Sequence, residues 1–230
     1  MSFQGLRGIL FDKDGTLFDF QATWGNWARE LLHRIAGAET GRARSMAEAL
    51  RFDLQTGRFH ADSPVIAGTG DEVVDLLAPY ARMSRAALSE LVAGEAARAP
   101  LAPAVPLRPL LTRLRAAGLR LGVATNDYEA VARRHLAAEA DLFDVIAGFD
   151  SGHGGKPAPG MLLAFAEQCG LRPDEILMVG DSRHDLQAGR AAGMRTLAVL
   201  TGVATEADLD DLADAVRPDI GHLPALLSLD

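Results

Sequence analysis

The sequence predicts an α/β fold: a doubly wound parallel-sheet (Rossmann-like) core with an inserted all-helical domain. Short apolar runs alternate with helical patterns from residue 106 onward, an order typical of parallel sheets. One further apolar run, Gly8–Phe11, lies far upstream of them. Residues 20 to about 98 show only helical patterns and no convincing strand, so we expect them to be an insertion between the first and second strands.

The first half of the chain supplies one strand, the insertion and a linker. Residues 8–11 form a short apolar run closed by a turn signal, as buried parallel strands do. Helices of the insertion are predicted over 24–35, 43–55, 70–77 and 85–97. Prolines in residues 100–106 block a helix and mark the return to the sheet. The predicted core therefore comprises residues 1–18 and 99–230, and the inserted domain residues 19–98.

The second half of the chain alternates helix and strand with little interruption. Gly118 and Gly193 are predicted to stop helices, and Pro159 suits a first helical turn. Strands are predicted over 119–124, 144–148, 176–179 and 196–200. Helices are predicted over 107–117, 129–139, 159–168 and 185–192. Strands that return through helices in this way lie parallel in one sheet.

The composition of the chain limits the classes of molecule that we expect it to bind. The chain has 230 residues, enough to bury roughly 70–75% of its unfolded surface. Its formal net charge of −8 argues against nucleic acid or an anionic membrane as a partner, and no apolar stretch is long enough to span a bilayer. Because Cys169 is the only cysteine and no signal peptide is apparent, we expect a cytoplasmic protein. We expect it to be a monomer or a homodimer.

Two carboxylates follow the first strand. Asp12 and Asp14 lie at its carboxyl end, where α/β folds build active sites, and Gly15 permits a sharp turn there. In an extended chain alternate residues share a face, so both aspartates are predicted to face one pocket while Lys13 points away and has no part in the chemistry. The run 12–16 also fits a solvated turn or a fragment of a calcium loop.

Later strand ends carry further polar residues. Thr125 and Asn126 offer a hydroxyl and backbone N–H groups suited to phosphate oxygens, or an ordinary helix N-cap. Lys156 lies in a loop stiffened by glycine and proline, as a fixed cation or as a solvated surface charge. Asp181 and Asp185 follow a buried strand and suit Mg²⁺, although Asp185 also fits a helix cap and Asp181 a turn. Each motif taken alone leaves both interpretations open.

Together these residues resemble the motifs of the haloacid dehalogenase superfamily, in order and in structural context. The insertion lies where that superfamily places its helical C1 cap. The sequences of residues 155–159, 180–185 and 220–224 resemble those of its phosphoglycolate phosphatase-like branch. His184 is a departure, because that branch more often has Asn at this position. The matching positions are Asp12 and Asp14, Thr125, Lys156, and Asp181 and Asp185.

The resemblance implies a phosphatase that works through an aspartyl-phosphate. Asp12 would be the nucleophile, and Asp14 would protonate the leaving alkoxide and then deprotonate water. Mg²⁺ would be held by Asp12, the backbone carbonyl of Asp14 and Asp181, with Asp185 bound directly or through water. An aspartate at position 14 favours phosphate esters over the dehalogenating and phosphonate-cleaving relatives.

The implied substrate is a small phosphorylated metabolite similar to phosphoglycolate. Thr125, the backbone amide of Asn126 and Lys156 would bind its phosphoryl oxygens. Residue charges support the metal independently: up to four aspartates share one lysine, and the excess of negative charge would repel a phosphate dianion. The expected cofactor is therefore Mg²⁺.

Two other functions fit the same motifs. A phosphotransferase or mutase of the β-phosphoglucomutase kind would use the same aspartyl-phosphate, and a non-catalytic binding or regulatory protein could occupy this scaffold. In the cap we interpret Trp24 and Trp27 as core residues, because they lie three apart on an amphipathic helix. Other cap residues that could face the substrate are Arg29, Arg58, His60 and Arg82.

Overall fold

The structure, a computed structural model, describes residues 3–66 and 68–229. The strands are β1 (Gly8–Phe11), β2 (Phe52–Asp53), β3 (Arg58–Phe59), β4 (Arg120–Thr125), β5 (Val145–Gly148), β6 (Ile176–Gly180), β7 (Arg195–Val199) and β8 (Ala215–Arg217). The helices are α1 (Phe20–Ala36), α2 (Thr40–Ala49), α3 (Gly70–Ala81), α4 (Arg85–Ala96), α5 (Leu107–Ala116), α6 (Glu129–His135), α7 (Gly160–Cys169), α8 (Arg183–Ala192), α9 (Glu206–Leu209) and α10 (Leu223–Leu226).

A parallel sheet with the strand order β5-β4-β1-β6-β7-β8 forms the centre of the fold. Side chains of β1 alternate between two buried layers. Ile9 and Phe11 pack with Leu111 of α5, whereas Leu10 packs on the other face with Phe165 of α7. Helices therefore cover both faces, as a sheet with apolar strands requires. The predicted doubly wound α/β fold is confirmed.

The register of the central strands brings three chain segments to one edge. Phe11, the last residue of β1, lies beside Val123 of β4 and Val179 of β6. Because these strands run in the same direction, the residues just beyond them emerge together. This edge therefore receives the polar residues that follow β1, β4 and β6.

The segment between β1 and α5, here called the inserted segment, packs around its own hydrophobic cluster. Helices α1 to α4 contribute Trp24, Leu31, Val74 and Leu88 among other buried side chains. Val131 of α6 joins the same cluster from the sheet side. Helices of this length are marginal alone, so their shared apolar core is what stabilises them.

The inserted segment is not entirely helical. The predicted helix over 43–55 ends at Ala49, and β2 and β3 form an antiparallel hairpin after it. The carboxylate of Asp53 accepts hydrogen bonds from the backbone N–H groups of Gln55 and Thr56, and Gly57 adopts φ 70°. Local turn chemistry therefore overrides the helical pattern at this point.

The chain leaves and re-enters the sheet through two segments that lie side by side. The backbone N–H of Asp19 donates to the carbonyl of Ala102 at 2.8 Å. The backbone N–H of Ala104 donates to the carbonyl of Leu17 at 2.9 Å. Asp19 also caps α1 by accepting from the N–H of Ala22 at 2.8 Å. The two ends of the inserted segment are thus joined directly to each other.

Smaller features differ from the prediction or complete it. β8 lies outside the predicted strands, because three half-buried residues carry too short a pattern to distinguish from a loop. α6 ends at His135, before the predicted end at 139, and a 3-10 turn over Ala140–Leu142 follows.

Within the described ranges, no helix combines the length and apolarity that crossing a membrane requires.

Candidate active site

Three buried aspartates meet at the carboxyl edge of the sheet. Asp12, Asp181 and Asp185 each offer a carboxylate oxygen, and these oxygens lie within 4.8 Å of one another. Lys156 Nζ donates to Oδ1 of Asp12 at 2.6 Å and to Oδ1 of Asp185 at 2.5 Å. One ammonium thus contacts two of the three carboxylates, so the cluster keeps net negative charge when all three are ionised.

Burial and crowding shift the titration of this cluster. The pKa of Asp12 is raised to about 7, chiefly by burial, against the lowering effect of Lys156. Burial, and then the charges of Asp185 and Asp12, hold the pKa of Asp181 well above its ordinary value. Burial alone would lower the pKa of Lys156, but Asp12 and Asp185 raise it. The lysine is therefore charged, and positive charge is what the cluster lacks.

The arrangement fits a divalent cation with oxygen ligands. Oδ1 of Asp181 accepts a 3.4 Å hydrogen bond from the Thr16 hydroxyl. Its Oδ2 is buried and accepts none from the described residues. Hard cations such as Mg²⁺ take carboxylate oxygens as ligands. An unpartnered buried oxygen beside two other carboxylates is a suitable ligand for such an ion, and Asp12, Asp181 and Asp185 are the residues that could hold it.

Two glycines give Asp181 its room. A Cβ at Gly202 would lie 1.8 Å from Oδ2 of Asp181, and a Cβ at Gly15 would lie 2.2 Å from the same atom. Gly15 also adopts φ +85°, which residues with side chains rarely do. The turns after β1 and β7 therefore approach the carboxylate closely because neither carries a side chain there.

Asn126 holds the loop of Lys156 in place. Its Oδ1 accepts from the backbone N–H of Lys156 at 2.8 Å, and its Nδ2 donates to the Lys156 carbonyl at 2.9 Å. Thr125 is buried, and its hydroxyl accepts from the N–H of Asp127 at 3.1 Å. The predicted phosphate-binding residues are thus brought together, with the Asn126 side chain bound to the loop rather than directed to a ligand.

Asp185 caps a helix and also belongs to the carboxylate cluster. Its Oδ2 accepts from the backbone N–H and the hydroxyl of Ser182, at 3.0 and 2.6 Å, in a capping box at the start of α8. Its Oδ1 accepts from Lys156. The helix cap therefore fixes the orientation of the carboxylate that the cluster uses.

Lys13 does not point away from the site, and this part of the prediction is wrong. β1 ends at Phe11, and the chain bends at position 13 instead of remaining extended. Nζ of Lys13 lies 2.8 and 2.7 Å from the two carboxylate oxygens of Asp14, and 3.1 Å from Oδ2 of Asp127. The side chain is fully buried, and Nζ lies 5.2 Å from the ring centroid of Trp24.

Lys13, Asp14, Asp127 and His135 form a second group of charged and polar side chains, here called the Lys13 cluster. Nδ1 of His135 lies 3.2 Å from Nζ of Lys13, and Nε2 of this histidine donates to the Ala96 carbonyl at 2.8 Å. Burial, and then the charge of Lys13, lower the pKa of His135, so the ring is neutral with its proton on Nε2. Burial also opposes the charge of Lys13, but Asp14 and Asp127 raise the pKa of this lysine overall. Lys13 is therefore a fixed cation beside Asp14.

The rarity of lysine in this chain is a sequence feature that points to Lys13. The chain contains only two lysines, Lys13 and Lys156, among its 23 lysines and arginines. Both are buried at the carboxyl edge of the sheet. A chain that uses arginine for its other cations and keeps lysine for two positions marks those positions as special.

A cavity of about 80 Å³ opens beside Asp12 and Asp14. The predicted phosphate-binding residues and Asp185 also line it. Trp24 and Trp27 belong to the hydrophobic cluster of the inserted segment, as expected, but they line the cavity as well. The described lining residues do not include the other cap candidates, Arg29, Arg58, His60 and Arg82.

The family model for haloacid dehalogenase-like hydrolases matches residues 6–193. The chain belongs to this family. It is 30% identical over 227 residues to the phosphoglycolate phosphatase of Nitrosospira multiformis, covering 96% of each chain. It is 29% identical over 240 residues to that of Escherichia coli K12, covering 97% of this chain and 94% of the relative. Its fold resembles the crystal structure of CbbY from Rhodobacter sphaeroides in complex with phosphate, with a TM-score of 0.70 and 22% identity, covering 97% and 100% of the two chains.

The haloacid dehalogenase-like family is the one that the sequence motifs predicted. The aspartates, threonine and lysine of those motifs all lie within the matched residues. The predicted phosphoglycolate phosphatase-like branch is confirmed, and with it an enzyme of the phosphoric monoester hydrolase class.

Replacement of Lys13 by methionine should destabilise the protein strongly. Lys13→Met keeps most of the side-chain length but leaves Asp14 and Asp127 without their buried cation, which costs about 3–5 kcal/mol of unfolding free energy. Urea denaturation measures the difference. Arg7→Met is the matched control, because it removes an exposed pair with Glu175 that contributes about 1 kcal/mol or less. Equal losses in the two variants would contradict the structural role of Lys13.

Mg²⁺ should stabilise the protein more at high pH than at low pH. The folded pKa of Asp12, about 7, exceeds its ordinary value of 3.8, so without the ion this group stabilises the fold only at low pH. That contribution is lost as the pH rises through about 7. Thermal midpoints with and without Mg²⁺ should therefore differ more at about pH 8 than at about pH 5. An equal gain at both pH values, or no gain, would contradict the assignment of the cluster.

A methyl group at Gly202 should weaken Mg²⁺ binding. Gly202→Ala places its Cβ against Asp181 and displaces the carboxylate, so we expect the dissociation constant to rise about tenfold or more in calorimetry. Gly41→Ala is the control, because a Cβ there meets no atom within 4 Å. Unchanged affinity in Gly202→Ala would show that Asp181 is not a ligand.

Proposed function

We propose that this protein is a Mg²⁺-dependent phosphatase that hydrolyses a small phosphate monoester through an aspartyl-phosphate intermediate. The position of Asp12 is the observation that supports this best. It is 8% exposed, lies 2.6 Å from Nζ of Lys156, and lines the cavity next to the carboxylate cluster. A carboxylate so placed can meet a phosphoryl group once the surrounding negative charge is offset.

In the first proposed step a carboxylate oxygen of Asp12 attacks phosphorus. A bond from Asp12 to phosphorus forms, and the bond from phosphorus to the ester oxygen breaks. Asp14 gives its proton to the departing alkoxide and becomes ionised. Lys13, which contacts both oxygens of Asp14, orients this carboxylate and stabilises the charge that develops on it.

In the second proposed step water attacks the phosphorus of the intermediate. Asp14, now ionised, takes a proton from the water as the bond to phosphorus forms. The bond between phosphorus and Asp12 then breaks, which restores the Asp12 carboxylate and releases inorganic phosphate. One carboxyl group thus serves as acid and then as base, and the proton that it loses first is replaced.

The phosphoryl oxygens would be bound by the hydroxyl of Thr125, the backbone N–H of Asn126 and Lys156. Lys156 is already held toward this position by the contacts of its backbone with Asn126. Mg²⁺ held by Asp12, Asp181, Asp185 and the backbone carbonyl of Asp14 would offset the charge of the phosphoryl group.

We propose that residues 19–98 act as a cap over a core formed by residues 1–18 and 99–230. Each part has its own hydrophobic cluster, and Val131 of the core joins that of residues 19–98. Tyr128 Oη donates to Oδ1 of Asp71 at 3.0 Å, which joins the start of α6 to the start of α3. The Tyr128 ring packs against Gly70, where a Cβ would lie 2.4 Å from it. Because both parts line the cavity, their closure would exclude water from the reaction.

The proposed setting is the cytoplasm, with the protein as a monomer or homodimer acting on a small phosphorylated metabolite. Cys169 supports a reducing compartment, since it is the only cysteine. It is half-buried, and burial raises the pKa of its thiol. Such a thiol suits a small packing residue rather than a nucleophile.

Two substitutions should separate the roles of the paired aspartates. Asp12→Asn should abolish phosphate release, because the amide cannot form the intermediate. Asp14→Asn should lower kcat by about 10²–10⁴-fold through loss of proton transfer. Its Mg²⁺ affinity should change little, because the Asp14 side chain contacts Lys13 and not the carboxylate cluster. Phosphate assays and calorimetry measure the two effects, and the exposed Asp174→Asn is the control.

The intermediate itself can be trapped. Acid quenching during turnover followed by borohydride reduction should convert position 12 to homoserine, which peptide mass spectrometry identifies. Equal phosphate release by wild type and Asp12→Asn would instead favour a non-catalytic protein. Isomerisation of a sugar phosphate without phosphate release would favour the mutase.

A further inference from the structure

The wall that the inserted segment contributes to the cavity is apolar. Phe20, Trp24 and Trp27 of α1 line it, together with Val73 of α3 and Val92 of α4. These side chains are buried, and the two tryptophan rings meet edge to face with centroids 5.1 Å apart. Such a wall offers packing surface for an apolar or aromatic group.

The side-chain hydroxyl groups near this wall already have hydrogen-bond partners in the protein. Thr69 is the one hydroxyl-bearing lining residue from the described part of the inserted segment. Its Oγ1 accepts from the N–H of Glu72 and donates to the Glu72 carboxylate, both at 3.2 Å. The hydroxyl of Tyr128, a lining residue at the start of α6, donates to Asp71. The buried indole N–H of Trp27, on this wall, has no partner among the described residues. A leaving group with several hydroxyls would therefore lose water without gaining equivalent hydrogen bonds.

Positive charge is lacking on the same wall. No arginine occurs among the described residues that line the cavity, and Lys156, the one lysine, is held by two carboxylates. His184 lies on the opposite side, at the start of α8. Asp14 and Asp127 also line the cavity, and Lys13, the cation beside them, contacts both. A leaving group that carries a carboxylate would give up its hydration and gain no positive partner on this wall.

We infer that the leaving group of the substrate is uncharged and largely apolar, with an aromatic ring as its best fit. The inference rests on the proposed function, since it concerns the alcohol of the ester that Asp12 and Asp14 would cleave. The cavity of about 80 Å³ holds several water-sized groups, so the leaving group is compact. Phosphoglycolate, whose leaving group is anionic, is then a poor substrate.

The test compares benzyl phosphate with 2-phosphoglycolate in the presence of Mg²⁺. Both esters release a primary alkoxide, so the comparison reports how well the leaving group fits rather than how readily it departs. We expect kcat/KM for benzyl phosphate to exceed that for 2-phosphoglycolate by about tenfold or more. Glycerol 1-phosphate, which is uncharged but polar in its leaving group, should also fall below benzyl phosphate.

A pair of variants at Ala93 tests the argument from charge. Ala93 lies on α4, is half-buried and lines the cavity. Ala93→Arg adds length and a positive charge, whereas Ala93→Met adds length alone. We expect the ratio of kcat/KM for 2-phosphoglycolate to that for benzyl phosphate to be about tenfold higher in Ala93→Arg than in Ala93→Met.

The outcomes distinguish a wrong leaving group from a wrong reaction. Faster hydrolysis of 2-phosphoglycolate than of benzyl phosphate, abolished by Asp12→Asn, would overturn the inference and leave the phosphatase in place. Release from none of the esters, or release that persists in Asp12→Asn, would overturn the proposed phosphatase and the inference with it. Equal ratios in Ala93→Arg and Ala93→Met would overturn the argument from charge.

Discussion

The site depends on one electrostatic constraint, the burial of Asp12, Asp181 and Asp185 beside a single lysine. Like charges this close repel strongly in a medium of low dielectric constant, so the cluster requires protons or a further cation. The raised pKa of Asp12 and the unpartnered oxygen of Asp181 are two consequences of the same excess of charge. The fold maintains the cluster because the parallel strands β1 and β6 end side by side at one edge and two glycines admit the Asp181 carboxylate.

The two lysines divide this edge into separate charge environments. Lys156 serves Asp12 and the carboxylate cluster, whereas Lys13 serves Asp14 and Asp127. Two aspartates that are neighbours in the first motif therefore have different partners. This separation suits a reaction in which one carboxylate bonds to phosphorus while the other carries a proton. It also links the site to the inserted segment, because the Lys13 cluster continues through His135 to the Ala96 carbonyl.

Much of the fold and of the site could be predicted from the strand ends and the spacing of the motifs. Parallel strands bring the residues that follow them together, wherever those residues lie in the sequence. The bounds of β1 and the meeting of Asp12 with Lys156 could be predicted for this reason. The environment of Lys13 could not, since it depends on a bend after β1 and on His135, 122 residues away. The hairpin at Asp53 and the lining role of Trp27 likewise depend on turn chemistry and on packing between distant segments.

Crystallography of the protein with Mn²⁺ in place of Mg²⁺ tests the central claim most directly, since anomalous scattering locates the ion without assumptions about the ligands. We predict one strong anomalous peak within bonding distance of carboxylate oxygens of Asp12 and Asp181, with Asp185 bound directly or through water. A protein that shows no peak at this edge of the sheet under saturating Mn²⁺, or a peak bound by other residues, would contradict the account.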